Sequence, residues 1–226
     1  MRRGSASPSW RADPVVVWAQ ACTANTDFVR GQNSKYVHQL TEWCDVLMVQ
    51  EAKDMDLAHT LPEGWAHCHD TSTEAKAGSA IGVDKAKWRV IKWWLVKGCP
   101  PPPGGGMLTR YICVAVLEHK ESGLQFSAMS AHEPPQRYAG MQPQFTANLK
   151  AAKEKEKAAG RRVIVGTDAN MPLDDLAKQI GGKGYGKGIV GLVTGQPITD
   201  LKVRPWGVDR GMTDHPAVTA KVDLTA

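Results

Sequence analysis

Asp168 and Asn170 stand two residues apart at the end of Val163-Ile164-Val165-Gly166-Thr167, a β-branched run closed by a glycine. A buried strand that stops there delivers a carboxylate and an amide at its carboxyl end. A second polar group, Thr213-Asp214-His215-Pro216, directly precedes the last apolar run of the chain. Carboxylates, an amide and an imidazole are the groups with which a metal-assisted hydrolase of phosphate esters neutralises charge and moves protons. Taken singly each group is a weak signal, because Asp and Asn favour turns on their own account.

Two further apolar runs end the same way. Val46-Leu47-Met48-Val49 stops at Gln50-Glu51, and the run from Leu124 to Ala131 stops at His132, before Pro134-Pro135. Strands that end together set such residues on one rim, where ligands bind in layered α/β architectures.

The elements that must position these residues follow from hydrophobic periodicity. Val15-Val16-Val17-Trp18-Ala19 predicts a first central strand ending at Gln20, with Thr23, Asn25, Thr26 and Asp27 as loop. Tyr36, Val37, Leu40 and Trp43 fall on one helical stripe, so residues 35–44 predict an amphipathic helix covering a sheet. Residues 79–83 and 88–96 predict an antiparallel pair joined by the turn at Asp84–Lys87, and residues 110–117 and 124–131 predict a hairpin. The segment with His59, Pro62, Gly64 and His67 reads as loop, as does the Pro- and Gly-rich stretch 99–106. Residues 136–160 have helix composition in their second half, with Lys153–Lys157 as a solvated face and Gly160 as the stop. Pro172 opens a short helix, Gly181–Gly188 reads as a flexible basic loop, and three short strands follow at 189–193, 198–203 and 217–222.

In order along the chain the rim positions are Gln50-Glu51, Ser130-Ala131-His132, Gly166-Thr167-Asp168-Ala169-Asn170 and Thr213-Asp214-His215. This ordered set resembles the endonuclease/exonuclease/phosphatase superfamily, relatives of deoxyribonuclease I, across the chain from about Val15 to Val222. The resemblance implies an α/β (α+β) fold, a two-sheet β-sandwich flanked by helices in four layers. It also implies a divalent-cation-dependent phosphodiester hydrolase, most readily an endonuclease on DNA or RNA that works by in-line attack of an activated water. By resemblance, Glu51 is the principal ligand of Mg²⁺ or Mn²⁺ and Asp214 helps hold the metal or a water. Asp168 orients and deprotonates the attacking water, Asn170 places the phosphate, and His132 and His215 donate to its non-bridging oxygens. His215 alternatively exchanges a proton with the water or the leaving group. Arg110 adds a phosphate contact.

Two positions depart from the family pattern. The Asn that ends the first strand is replaced by Gln20, which the resemblance assigns to the metal shell, with Asn25 as a shifted alternative. The Asp that braces the catalytic His falls on Val190, leaving Asp200 and Asp209 as candidate substitutes. These departures keep a third reading open, a nucleic-acid-binding protein on a catalytically impaired scaffold, beside a second in which the substrate is a small phosphate ester or a lipid headgroup.

Composition sets the outer bounds. At 226 residues the chain predicts a single domain over residues 14–226 behind a flexible tail at 1–13. A formal net charge of +5 favours an anionic partner such as nucleic acid. The five cysteines show no Cys-x-x-Cys pair or zinc spacing and are expected as reduced thiols. The start of the chain lacks a secretory pattern and no apolar run is long enough to span a bilayer, so a cytoplasmic monomer without membrane contact is the expectation.

Overall fold

The computed structural model describes residues 16–26, 33–52, 57–70, 72 and 78–226. The expected tail at 1–13 lies outside them. In chain order the elements are β1 (Trp18–Asn25), α1 (Asn33–Thr41), β2 (Val46–Gln50), α2 (Leu57–Thr60), β3 (Trp65–Cys68), β4 (Ser79–Asp84), β5 (Trp88–Cys99), β6 (Arg110–His119) and β7 (Gln125–His132). A 3₁₀ turn (Gln136–Met141) leads into α3 (Gln142–Ala158), β8 (Arg162–Asp168), α4 (Leu173–Ile180), β9 (Lys183–Lys187), β10 (Val190–Thr194), β11 (Ile198–Arg204), α5 (Trp206–Asp209) and β12 (Ala217–Asp223). The strands form two six-stranded sheets, ordered β11-β12-β1-β2-β4-β3 and β5-β6-β7-β8-β10-β9.

The sheets stack face to face because the central strands are apolar on both sides. In β2, Val46 and Met48 join Cys113, Ala115, Ala128 and Ile164 of the other sheet in one buried cluster. Leu47 and Val49 point the other way, into a cluster with Tyr36, Val37 and Leu40 of α1. The second sheet is sided likewise, its outward Ile112, Val114, Val163 and Val165 meeting Phe145 and Leu149 of α3 and Leu176 of α4. This period-two division, with helices closing both outer faces, makes the four-layer sandwich and explains the uninterrupted apolar runs.

Several expectations are corrected. The run at 79–83 and the Trp-rich run at 88–96 do not pair: β4 bonds to β2 and β3, while β5 starts the other sheet. The turn at 84–87 therefore carries the chain between layers, with Trp88 anchored in the core by edge contacts to Phe126 and by Nε1 donating to Asp45 Oδ1 at 3.0 Å. Residues 57–68, expected as loop, contain α2 and β3, the latter an edge strand too short to show a period. The Gly181–Gly188 stretch holds β9, whose backbone pairs with β10; a Cβ on Gly186 would collide with the β10 backbone, so glycine permits this close pairing. The charged face of α3 is only partly solvated, since Lys153 and Glu156 are buried, and Glu156 Oε2 accepts from Ser127 Oγ and from Arg161 Nε, each at 2.7 Å.

The sheets approach closely where the motif glycine stands. A Cβ on Gly166 would lie 2.7 Å from Met48 Cβ and 2.9 Å from Thr23 Cβ, both in the opposite sheet. Across that contact Gln50 Nε2 donates to Gly166 O at 3.3 Å and to Ser130 Oγ at 3.1 Å, Ser130 Oγ donates to Val49 O at 2.7 Å, and Thr23 Oγ1 donates to Gln50 Oε1 at 3.2 Å. Overpacking of this kind costs about 1–3 kcal/mol. Gly166→Ala is expected to fall in that range by urea unfolding, and an unchanged midpoint would show that the sheets separate freely there.

Candidate active site

Parallel pairing brings the chemistry-bearing strand ends to one rim. In one sheet Asn25 of β1 is the register partner of Gln50 at the end of β2; in the other His132 of β7 is the partner of Asp168 of β8. The segment before β12 is tied to the same rim by Thr213 Oγ1, which donates to Asn25 O at 2.9 Å. Two rim residues, Glu51 and Asn170, hold positive φ angles of 57° and 48°. Asn tolerates that region readily, whereas for Glu it is a strained turn that aims the side chain.

Asp168 lies at the focus of the site. It is 1% exposed, and its Oδ2 accepts from Asn25 Nδ2 at 2.8 Å. The same oxygen faces Nε2 of His215 at 3.5 Å and Nε2 of His132 at 3.9 Å, while Oδ1 accepts from the Asn170 backbone N–H at 3.3 Å. Burial pushes the Asp168 carboxyl above the ordinary carboxylate range, and the Asn25 hydrogen bond and the nearby His215 pull it back. A carboxylate raised in this way is a stronger base than a solvated one.

His132 is buried and its Nδ1 sits 2.8 Å from Arg110 Nη1. A guanidinium only donates, so Nδ1 is the acceptor and the ring hydrogen is on Nε2. Burial, with Arg110 and His215 nearby, holds the imidazole well below its usual range. His132 is thus a neutral donor, with Nε2 directed toward Glu51 Oε1 at 3.8 Å and Asp168. Arg110 Nε is buried without a hydrogen-bond partner, so protein acceptors do not saturate the guanidinium.

The first-strand assignment is corrected. β1 continues six residues past Ala19 to Asn25, because Cys22, Thr23 and Ala24 are buried between the apolar layers and the strand pairs with both β2 and β12. Asn25 therefore occupies the strand end at the site. Gln20 lies five residues away, about 17 Å at strand rise, where its backbone N–H donates to Asp45 Oδ1 at 3.0 Å. It is not among the residues that meet at the rim. Val190 is the register partner of Asp168 and supplies no carboxylate. Neither Asp200 nor Asp209 replaces it: Asp200 pairs with Lys221 at 3.0 Å, and Asp209 is exposed on α5. Instead His215 Nε2 is shared between Asp168 Oδ2 and Asp214 Oδ1, the latter at 3.4 Å.

Among the described residues no three His, Cys, Asp or Glu side chains form a metal cage. The donors that are present suit a hard cation held by few protein oxygens and by water. The Glu51 side chain is 34% exposed and that of Asp214 is 60% exposed. Mg²⁺ and Mn²⁺ are compatible with one or two such carboxylates.

One buried carboxyl at the site gave no sequence signal. Glu133 follows His132; its backbone N–H donates to Asp168 O at 3.0 Å and its carbonyl accepts from Asn170 Nδ2 at 2.9 Å. Its Oε1 accepts from Thr146 Oγ1 of α3 at 2.9 Å, while Oε2 is buried without a partner. Burial pushes this carboxyl up to about 8, with Asp168 adding to the rise and Thr146 opposing it. An acid before Pro134-Pro135 looks like a loop residue until the fold closes over it.

No protein-family profile and no curated protein matches the sequence. Solved structures do match over nearly the whole chain. An endonuclease/exonuclease/phosphatase from Bacteroides vulgatus superposes with a TM-score of 0.66 at 17% identity, covering 92% of this chain and 99% of its own. The Bacteroides thetaiotaomicron mannosyl-6-phosphatase gives 0.64 at 14% identity, with 90% and 99% covered. D. rerio TDP2 complexed with a single strand DNA product gives 0.61 at 16% identity, with 91% and 98% covered. The chain thus has the deoxyribonuclease I-like fold of these proteins.

Glu133 makes a pH-dependent contribution to stability. Its folded-state value lies above the ordinary 4.5, so the stabilisation is full below about 4.5 and is lost as pH rises through about 8. Glu133→Gln should flatten that part of a stability-against-pH curve measured by urea unfolding. A slope as steep as in the unaltered protein would show that Glu133 is not its source.

Proposed function

We propose that this chain is a divalent-cation-dependent phosphodiester hydrolase acting on nucleic acid. The observation that carries the reading is the environment of one oxygen: buried Asp168 Oδ2 accepts from Asn25 and faces two imidazole Nε2 atoms contributed from separate elements. Asp168 is the base that orients and deprotonates a water, with Asn25 fixing its carboxylate. His132 and Arg110 supply fixed donors to the phosphate oxygens, and His215, reachable from solvent, donates to a phosphate oxygen or to the leaving oxygen. Asn170, tethered through Nδ2 to the Glu133 carbonyl, shapes the turn that seats the phosphate. Glu51 and Asp214 would hold Mg²⁺ or Mn²⁺, which would supply neutralising charge to the phosphate.

The substrate class rests on charge and likeness. The net charge of +5 favours a polyanion, and a structural neighbour carries a single strand DNA product. The likeness to a mannosyl-6-phosphatase favours a second reading, a small phosphate monoester. Supercoiled plasmid and a panel of sugar phosphates, each with Mg²⁺ or Mn²⁺, separate the two.

Plasmid nicking is expected with metal and absent with EDTA. Loss of one acid–base group lowers rates by about 10²–10⁴-fold, and Asp168→Asn and His215→Ala should each fall in that range. Asn25→Ala should lower the rate, while Gln20→Ala should leave it unchanged. Full nicking by Asp168→Asn would overturn its role as the base. Retained nucleic-acid binding without Mn²⁺ binding by calorimetry would instead mark an impaired scaffold.

A further inference from the structure

A pocket of about 530 Å³ opens at the opposite end of the second sheet, where β8 begins. With six strand steps between Arg162 and Asp168, it lies about 20 Å from the candidate active site. Lys153 and Lys157 of α3, Arg161, Arg162 and Gln196 line it, and Gly181 and Gly182 form part of the wall.

Most of these cations already have partners. Arg161 is paired with buried Glu156 at 2.7 Å, Lys157 with Glu154 at 3.0 Å, and Arg162 Nη2 donates to Ala226 O at 3.0 Å. Lys153 differs from them. It is 3% exposed, its Nζ donates to Ile180 O at 3.1 Å, and no carboxylate of the described residues lies within ion-pair distance. An ammonium has three donors, and a buried one without a counter-charge is costly. Burial draws the Lys153 amine below the usual lysine range, with Lys157 adding to the effect and the more distant Glu154 opposing it.

The wall beside this ammonium is kept bare. A Cβ on Gly182 would lie 3.4 Å from Lys153 Nζ, and one on Gly181 would lie 3.9 Å away. Gln196 Oε1, on the same pocket, is buried with no hydrogen-bond partner. The pocket lining, which also includes Ala226, therefore contains a buried cation without a paired side-chain carboxylate and, in Gln196, a buried acceptor without a donor.

We propose that this pocket is a second binding site, for a phosphate monoester whose anionic group meets Lys153 and whose hydroxyl or amino group donates to Gln196. A monoester carries nearly two negative charges at neutral pH and supplies the counter-charge that Lys153 lacks. The volume lies in the range of small-molecule sites and exceeds what inorganic phosphate alone would fill. A sugar phosphate or a nucleoside monophosphate fits both the charge and the size. The site does not depend on the hydrolytic reading, because none of its lining residues belongs to the rim.

Calorimetry on the full chain in EDTA, with inorganic phosphate, ribose 5-phosphate and AMP as probes, tests the proposal apart from catalysis. At least one ester should bind at least about tenfold more tightly than inorganic phosphate. Gln196→Leu should abolish that advantage, and Lys153→Met should weaken every probe by about tenfold or more. Asp168→Asn should bind as the unaltered protein does. Because Lys153 also caps the end of α4, Lys153→Met could unfold the pocket; Gln196→Glu, which sets a carboxylate against the anion while leaving α3 intact, should then abolish binding. No binding of any probe at about 10 mM would overturn the site and leave Lys153 as a helix cap only. Equal affinity for phosphate and both esters, or unchanged binding in Gln196→Glu, would overturn it as well.

Discussion

The contact on which the active rim depends is the clasp between the sheets at Gln50. Its amide is fully buried, accepts from Thr23 of its own sheet and donates to Ser130 and to the Gly166 carbonyl of the other. Bringing the strand backbones this close requires that Gly166 have no side chain. A buried amide is stabilising only when its donors and acceptors are matched, so this network fixes one relative height of the two sheets. That height sets Asn25 against Asp168, a contact 143 residues apart in sequence.

Burial then converts position into chemistry. Asp168, His132 and Glu133 are withdrawn from water at the junction of the layers, and each is shifted toward its neutral form. For His132 the result is a permanent donor whose tautomer is set by Arg110. For Asp168 it is a carboxylate of increased basicity, kept ionisable by Asn25 and His215. Glu133 lies behind both, bonded through its backbone to Asp168 and Asn170, so its protonation bears on the packing under the site.

The rim was legible in the sequence because it is written in strand ends, where a run of core-forming residues meets a polar one. Glu51, His132, Asp168 and Asn170 could be placed in that way, as could the helices with clear stripes. Asn25 was legible only as a shifted alternative to Gln20, because Thr23 and Asn25 have loop-forming side chains and only pairing on both edges extends β1 through them. Pairing also decides β9, whose Lys-Gly alternation has no apolar signal and which is a strand through its hairpin with β10, and the sheet membership of β4 and β5. Lys153 and Glu156 sit in a run of alternating charges that reads as solvent-facing until α4 and β7 close over it.

Val190 has the most consequence for mechanism. It stands opposite Asp168 in the register of β8 and β10 and brings no carboxylate there. The Nε2 of His215 faces Asp168 and Asp214. The candidate base and the candidate proton donor are therefore in direct electrostatic contact at 3.5 Å, so the charge of each bears on the other. Of the two carboxylates that face this imidazole, Asp168 is buried and Asp214 is open to solvent, so His215 joins the interior of the site to its surface.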